Sequence, residues 1–342
     1  MRAPHHLGGS LALGTSSTRL CSNAPDARLA MAKEEPRQRW VRALSMPAGR
    51  LFYCRSHRRR TPAHDSCLAM TQVWFALRVD REAVLTAFDE QVRQRPEPVA
   101  PREHVEREDR VVRFISEGDG FSGVTWCDLD EASADRVIAS QIERFAELGR
   151  PWEWKHYSWD QPADLPARLR AARFTPELPE SLLVGEIADL PHASPPPPGV
   201  AVVPVVDEYG VSAFVAVNDK VFDEESGWIG EMLLADLARH RNMTAMTAAL
   251  LAVADEIPVA ALRLELASET DFAVLFSACT LPDWRGRGVF RSLLAHGVSL
   301  ASARGFRYLQ TDAFPDSQPI LKRLGCVELG TTTPFAHAGT DP

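Results

Sequence analysis

Apolar positions along the second half of the chain alternate between short buried-type runs and helical stripes. Residues 272–279, FAVLFSAC, form a continuous apolar run, the pattern of a strand covered on both faces. Leu281 and Pro282 end it, and Arg285-Gly286-Arg287-Gly288 follows. Phe290, Leu293, Leu294, Gly297, Val298 and Ala301 then recur at helical spacing on one face, with Gly305 as the C-terminal stop. Around this unit the pattern predicts a strand at 200–206, helices at 208–222 and 228–241, strands at 247–254 and 258–266, a strand at 306–314, a helix at 316–325 and a strand at 326–335. The order is β-α-α-β-β-β-α-β-α-β.

The first half reads in a similar way. A helix is expected over 81–95, strands over 111–116 and 123–129, and an amphipathic helix over 132–148 that Gly149 and Pro151 stop. Residues 152–159, 165–174 and 181–187 read as a strand, a short helix running into a strand, and a strand. A shift of 152 residues lays Leu169–Phe174 on Leu321–Cys326 and Asp164 on Asp316, with the elements in the same order, so the chain reads as an internal repeat. Residues 188–199, with four consecutive prolines, read as a stiff linker between the halves. Residues 337–342 are a tail.

Charge separates the opening segment from the rest. Residues 1–69 carry 12 Lys+Arg against 4 Asp+Glu, whereas the remaining 273 residues carry 26 against 42. The segment lacks hydrophobic periodicity and reads as disordered. A signal peptide, a transit peptide and a nucleic-acid tail built on RSHRRR at 55–60 fit it less well than an extension upstream of a start at Met70. The acidic body excludes sequence-independent nucleic-acid binding as its role, and no apolar run approaches the length of a membrane helix. Six cysteines without paired spacing argue against a disulfide framework or a zinc site and fit a reducing cytoplasm.

A Gly-rich turn entering a helix points backbone N–H groups and the positive dipole end at one spot, and flanking arginines add donors that suit phosphate. Placed between that strand and that helix, Arg285-Gly286-Arg287-Gly288-Val289-Phe290 resembles the Q/R-x-x-G-x-G/A motif of the GNAT superfamily of acyl-CoA-dependent N-acyltransferases. The resemblance covers residues 200–336, and Phe290 departs from the small residue the motif ends on. It implies an α/β fold with a mixed, mostly antiparallel sheet flanked by helices. With the repeat, two such domains stand in tandem, at 70–187 and 200–336.

The resemblance also implies a chemistry: an acetyl group moves from acetyl-CoA, as co-substrate and with no metal, to an amine of a small molecule. The turn Arg285, Gly286, Arg287, Gly288, Val289 and Phe290 would hold the pyrophosphate, and Cys279, Thr280 and Leu281 would face the pantetheine arm. Ser317 stands where the superfamily commonly has Asn, and Leu321 where it often has a Tyr that protonates the leaving thiolate. Glu265 and Asp312 are the candidate general bases, and Tyr308 is the candidate acid if it faces the cleft. Glu265 also reads as one member of a surface pair with Arg263, and Asp312 as a capping carboxylate. In the first half the corresponding turn carries Asp128, Asp130, Glu131 and Asp135, which would repel a pyrophosphate, so that domain reads as degenerate. Trp152, Trp154, Tyr157 and Trp159 read as packing before they read as an acceptor wall. Asp223, Glu224 and Glu225 read equally as a solvated loop and as an attraction for a cationic amine. The alternatives in other classes are a non-catalytic acyl-CoA-binding or regulatory module and an interaction scaffold. Oligomeric state is not legible in the sequence.

Overall fold

The computed structural model describes residues 80–100, 102–118, 120–223, 225–240 and 246–338. The opening segment, the strand-like stretch after Met70, Glu224 and the last four residues lie outside the described residues. Twelve strands form one mixed sheet. They are β1 Glu103–Glu108, β2 Val111–Ser116, β3 Gly123–Cys127, β4 Trp152–Tyr157, β5 Thr175–Pro176, β6 Glu180–Glu186, β7 Val200–Pro204, β8 Thr247–Ala254, β9 Ile257–Glu265, β10 Phe272–Thr280, β11 Tyr308–Ala313 and β12 Val327–His337. The order is β1-β2-β3-β4-β12-β6-β11-β10-β9-β8-β7, with β5 on the side of β12. The pairs β3/β4 and β10/β11 are parallel and the others antiparallel.

Seven α-helices cover the sheet among the described residues: α1 Arg81–Phe88, α2 Ala134–Leu148, α3 Leu165–Ala171, α4 Glu208–Phe222, α5 Gly227–His240, α6 Val289–Ala303 and α7 Gln318–Arg323. Strand alternation assigns the faces. On one face, Leu293, Leu294 and Val298 of α6 and Leu321 of α7 pack on Leu262, Leu264, Leu275 and Leu309. Phe145 of α2 and Leu165 and Leu169 of α3 pack on Trp152 and Trp154 of the same face. On the other face, Phe214, Val217 and Leu233 of α4 and α5 cover Leu251 and Ala261, while Val84 and Phe88 of α1 cover Tyr157, Leu182, Phe272 and Tyr308. The crowded tryptophans are therefore core residues: the indole of Trp152 stacks on Phe145 at 4.1 Å and 8°.

Two elements depart from the sequence reading. The helix expected over 81–95 loosens after Phe88 into a π turn, Asp89–Arg93, as buried Arg93 reaches Asp160 and Asp89 at 2.7 Å each. Strand β1, EHVERE, has no apolar alternation to announce it. It is held as a polar edge by buried Arg113 of β2, which donates to Glu106 at 2.9 Å and Glu108 at 2.8 Å.

The strand order is symmetric about its centre. Outward from β12 on one side run β4, β3, β2 and β1; outward from β6 on the other run β11, β10, β9 and β8. β6 precedes the proline-rich stretch in the chain, yet it lies between β11 and β12. The final strand, β12, lies beside β4. Each half of the chain thus gives its last strand to the sheet of the other.

Candidate active site

β10 and β11 pair only at Phe272–Tyr308, Ala273–Leu309 and Val274–Gln310, although both strands continue beyond. A bulge between Phe276 and Cys279 shifts the register of β10 against β9, with Ser277 at φ 50°. Bulges bend a strand and raise its twist, so the two parallel strands part and leave a wedge between their C-terminal ends. Leu281 N–H donates to the Val259 carbonyl at 2.9 Å, and Cys279 pairs with Ala261. Antiparallel pairing alternates, so Cys279 and Leu281 turn their backbone groups to β9 and Thr280 turns away, toward the wedge. Of the three residues expected to face a pantetheine arm, Thr280 alone turns its backbone groups toward the wedge. The bulge residues Ser277 and Ala278, which the sequence reading did not single out, have no register partners in β9. Cys279 is buried, and burial pushes its thiol up to about 12.

The turn after β10 is built from the chain itself. A 3-10 turn, Pro282–Trp284, leads in, and Arg285 Nε donates back to the Thr280 carbonyl at 3.0 Å. Arg287 lays its guanidinium over the Trp284 ring at 4.9 Å. Gly286 and Gly288 have φ of 72° and 87°, a region in which L side chains are strained, and a Cβ on either would meet nothing within 4 Å. Backbone conformation therefore demands glycine here, and the space above the turn is open. Gly288 caps α6 without any side-chain hydrogen bond, and the first internal bond of the helix is Ser292 N–H to the Gly288 carbonyl at 3.1 Å. The N–H groups of Val289, Phe290 and Arg291 thus face outward with no partner inside the helix. Phe290 is half-buried and packs with Trp284 against the core beneath α6. Among the described residues, neither Arg285 nor Arg287 is in an ion pair. These residues fit a pyrophosphate group: free donors, a positive helix end and two guanidinium groups around open space.

The matching turn before α2 is chemically opposite. Asp130 accepts from Ser133 N–H at 2.8 Å, Ser133 Oγ at 2.7 Å and Arg110 at 2.9 Å. The bonds from Ser133, then Arg110, hold its carboxyl down at about 2. A carboxylate bonded to Ser133, the residue that caps α2, thus stands before this helix, where arginines stand before α6.

On the face covered by α1, α4 and α5, a cleft lies beside the wedge. Asp312 accepts from Lys155 Nζ at 2.6 Å and from Gln310 Nε2 at 3.3 Å. Burial alone would push the Lys155 ammonium down; Asp312, with help from Tyr157 and Glu153, outweighs it and holds the ammonium above the usual lysine range. Glu153 shares this face of β4, and burial raises its carboxyl. Glu180, the first residue of β6, is half-buried. Burial pushes its carboxyl up to about 7, opposed by Lys155 and aided by Asp312, Glu153 and Glu177. Glu153 and Glu177 also line an open depression of about 370 Å³ with Phe121, Trp152 and His337, which Lys155, Asp312 and Glu180 do not line.

The other candidates are placed as follows. Glu265 is bonded to buried Arg263, whose guanidinium lies over the Phe276 ring at 4.6 Å. Tyr308 does not face the cleft: it is 4% exposed, stacked on Phe272 at 4.9 Å beneath α1, at the far end of β11. Burial raises its hydroxyl. It is a core residue, and the role of acid expected of it does not fit. Ser317 caps α7 and donates to the Phe314 carbonyl at 3.1 Å. Leu321 is buried in the core. Asp223 ends α4 in the left-handed region and is exposed, as is Glu225. Among the described residues no group of three or more His, Cys, Asp or Glu could hold a metal ion, and no helix is long and apolar enough to cross a membrane.

Glu153, Lys155 and Glu180 were missed because they sit more than a hundred residues from the turn. The one local signal was in WEWKHY, where charged residues alternate with tryptophans on a strand buried on its other face.

The architecture is shared with solved structures. A GCN5-related N-acetyltransferase from Kribbella flavida superimposes with a TM-score of 0.54 at 16% identity, over 76% of this chain and 95% of that one. A tandem GNAT protein from the clavulanic acid biosynthesis pathway gives 0.50 at 12% identity, over 81% and 97%. A conserved protein of unknown function from Staphylococcus epidermidis gives 0.51 at 12%, over 70% and 95%. No family model and no curated protein matches the chain. The fold is that of GNAT proteins, a mixed and mostly antiparallel sheet flanked by helices.

Proposed function

We propose that this protein is an acyl-CoA-dependent N-acyltransferase that moves an acetyl group from acetyl-CoA to the amine of a small molecule. The observation that carries this reading is the wedge between β10 and β11, opening onto the uncapped, arginine-flanked turn of Arg285–Val289. The turn holds the pyrophosphate through the N–H groups of the first turn of α6 and through Arg287. The arm of the co-substrate lies along Ser277–Thr280 and brings the thioester between the strand ends. Residues 200–336 form the catalytic domain. Residues 70–187 form a degenerate counterpart, a reading supported by the Asp130 carboxylate bonded to Ser133 before α2, where the other half has two arginines. Residues 188–199 link the two. Cys127, Cys279 and Cys326 are free and buried, which fits a reducing cytoplasm.

The chemistry follows from the groups present. Amine nitrogen attacks the thioester carbon, the C–S bond breaks, and the thiol of CoA leaves. A protonated amine cannot attack, so a base must take its proton. The carboxylates on the cleft face, among them Asp312, Glu153 and Glu180, favour a cationic acceptor. A second reading, a non-catalytic acyl-CoA-binding module, is favoured by Leu321, which leaves no hydroxyl at that position for the leaving thiolate.

Calorimetry with acetyl-CoA and thiol release across a panel of amines decide between them. Binding together with release supports transfer. Binding without release supports the module, and absence of binding removes both.

A further inference from the structure

We infer that Glu180, carried into the cleft by the exchanged strand β6, is the base that takes the proton from the acceptor amine. The inference rests on the transfer reading above and adds to it which group moves the proton, and from which half of the chain.

Placement comes first. β6 runs antiparallel to β11 with Ser181 opposite Ala313. The next position, Glu180, therefore comes level with Phe314, just past the end of β11 and at the end of the sheet where β10 and β11 part. Neighbouring strands lie about 4.8 Å apart, so Glu180 stands one strand from the wedge. Alternation puts it on the face of Leu182 and Val184, which is also the face of Gln310 and Asp312.

The two carboxylates expected from the sequence as bases are engaged, and Glu153 on β4 and Glu177 beside Pro334 of β12 lie farther from the wedge than β6 does. Asp312 is held by Lys155 and Gln310, and Glu265 by Arg263. Among the described residues the Glu180 side chain has no hydrogen bond or ion pair, its backbone being paired with Thr332 of β12. The charged groups that face it are Lys155 and Glu153 from β4, Asp312 from β11 and Glu177 from the loop before β6. Four carboxylates around one ammonium favour an incoming cation, and a carboxyl raised by burial is matched to accepting a proton near neutral pH. Leu178, 72% exposed, and Phe314, 47% exposed, flank the position. The acceptor this suits is an ammonium on an apolar body.

The step balances. The acceptor ammonium gives one proton to the Glu180 carboxylate, directly or through water, and that proton passes to solvent. The freed lone pair forms the C–N bond to the acyl carbon, and the C–S electrons leave on the CoA sulfur. The second proton shed by nitrogen passes through water to that thiolate. Acetyl-CoA and an alkylammonium become an amide, CoA thiol and one proton.

The test uses the full chain, acetyl-CoA, and 2-phenylethylamine, tyramine and spermidine as acceptors, with thiol release followed from about pH 5 to about pH 10. The wild type is expected to show kcat/KM rising through a group near 7. Glu180→Gln is expected to lower kcat/KM by about 10²–10³ and to lose that rising limb, with calorimetric affinity for acetyl-CoA unchanged. Glu180→Asp is expected to keep the limb at a reduced rate. Asp312→Asn is expected to keep it too. Glu180→Gln with the wild-type rate and limb, or loss of the limb in Asp312→Asn instead, overturns the assignment while the transfer reading stands. Acetyl-CoA bound but no thiol released with any of the amines overturns transfer and assignment together, as does the absence of acetyl-CoA binding.

Discussion

At the residue scale, the turn and the cleft show two uses of charge. Arg287 is exposed and unpaired with any carboxylate among the described residues, and its plane rests on Trp284, so its donors are free for phosphate oxygens. Arg287→Ala is expected to weaken acetyl-CoA binding about tenfold, measured by calorimetry, the loss of one charge-assisted hydrogen bond. Gly288→Ala places a side chain at φ 87° and is expected to cost about 1 kcal/mol, read as a lower urea midpoint. Glu180 carries a stability consequence as well. Its folded pKa, about 7, lies above the ordinary 4.5, so the folded state binds the extra proton between those values. Its contribution is present at low pH and is lost as pH rises through 7. Glu180→Gln removes that penalty and is expected to raise stability at pH 8 by on the order of 1 kcal/mol, after allowance for solvent screening. The comparison is of urea midpoints of wild type and variant at pH 5 and pH 8. A variant that gains stability while losing activity marks a residue kept for chemistry.

At the element scale, what was legible depended on whether an element buries apolar surface on a regular period. Strands β8, β9 and β10 and helices α4 and α6 have strong runs or stripes, and they form within a residue or two of where the pattern puts them. Edge strand β1 is polar and was invisible, because its register comes from Arg113 rather than from apolar alternation. Arg113 also donates to Gln141 of α2 at 2.7 Å. Arg113→Ala leaves buried Gln141, half-buried Glu106 and exposed Glu108 without this partner and is expected to cost about 2–4 kcal/mol in urea unfolding. Helix α6 approaches the sheet closely at Gly297, where a Cβ would lie 3.2 Å from Leu264 and 3.3 Å from Leu262. Gly297→Val is expected to overpack this contact and lower stability by about 1–3 kcal/mol, measured the same way.

At the scale of the whole molecule, exchange of the last strands makes the two halves one sheet. β12 pairs with β4 along Thr332–His337, and β6 pairs with β11 along Ser181–Glu186. Each half therefore needs a strand of the other to complete its sheet and core. Cleavage within residues 193–198, which carry neither helix nor strand, is expected to leave two fragments that co-elute on size-exclusion chromatography and separate only on denaturation. Intact protein is expected to unfold in one transition whether followed by tryptophan fluorescence or far-UV circular dichroism. Two separate transitions would count against this coupling. The exchange also accounts for the composition of the cleft, since Glu153, Lys155 and Glu180 come from the half that carries no arginine-flanked turn.

The sequence alone determined the local units. Apolar periodicity specifies strand and helix because burial repeats every two or 3.6 residues, and Arg285–Gly288 specifies its own turn because only glycine adopts those backbone angles without strain. The four consecutive prolines were likewise readable without a structure. Only the tertiary structure decided which strand neighbours which. Pairing across the sheet is a property of surfaces brought together from distant parts of the chain, and no local pattern in β6 or β12 records that they cross over. That crossing ties Asp312 to Lys155, buries Tyr308 under α1, and sets Glu180 beside the wedge.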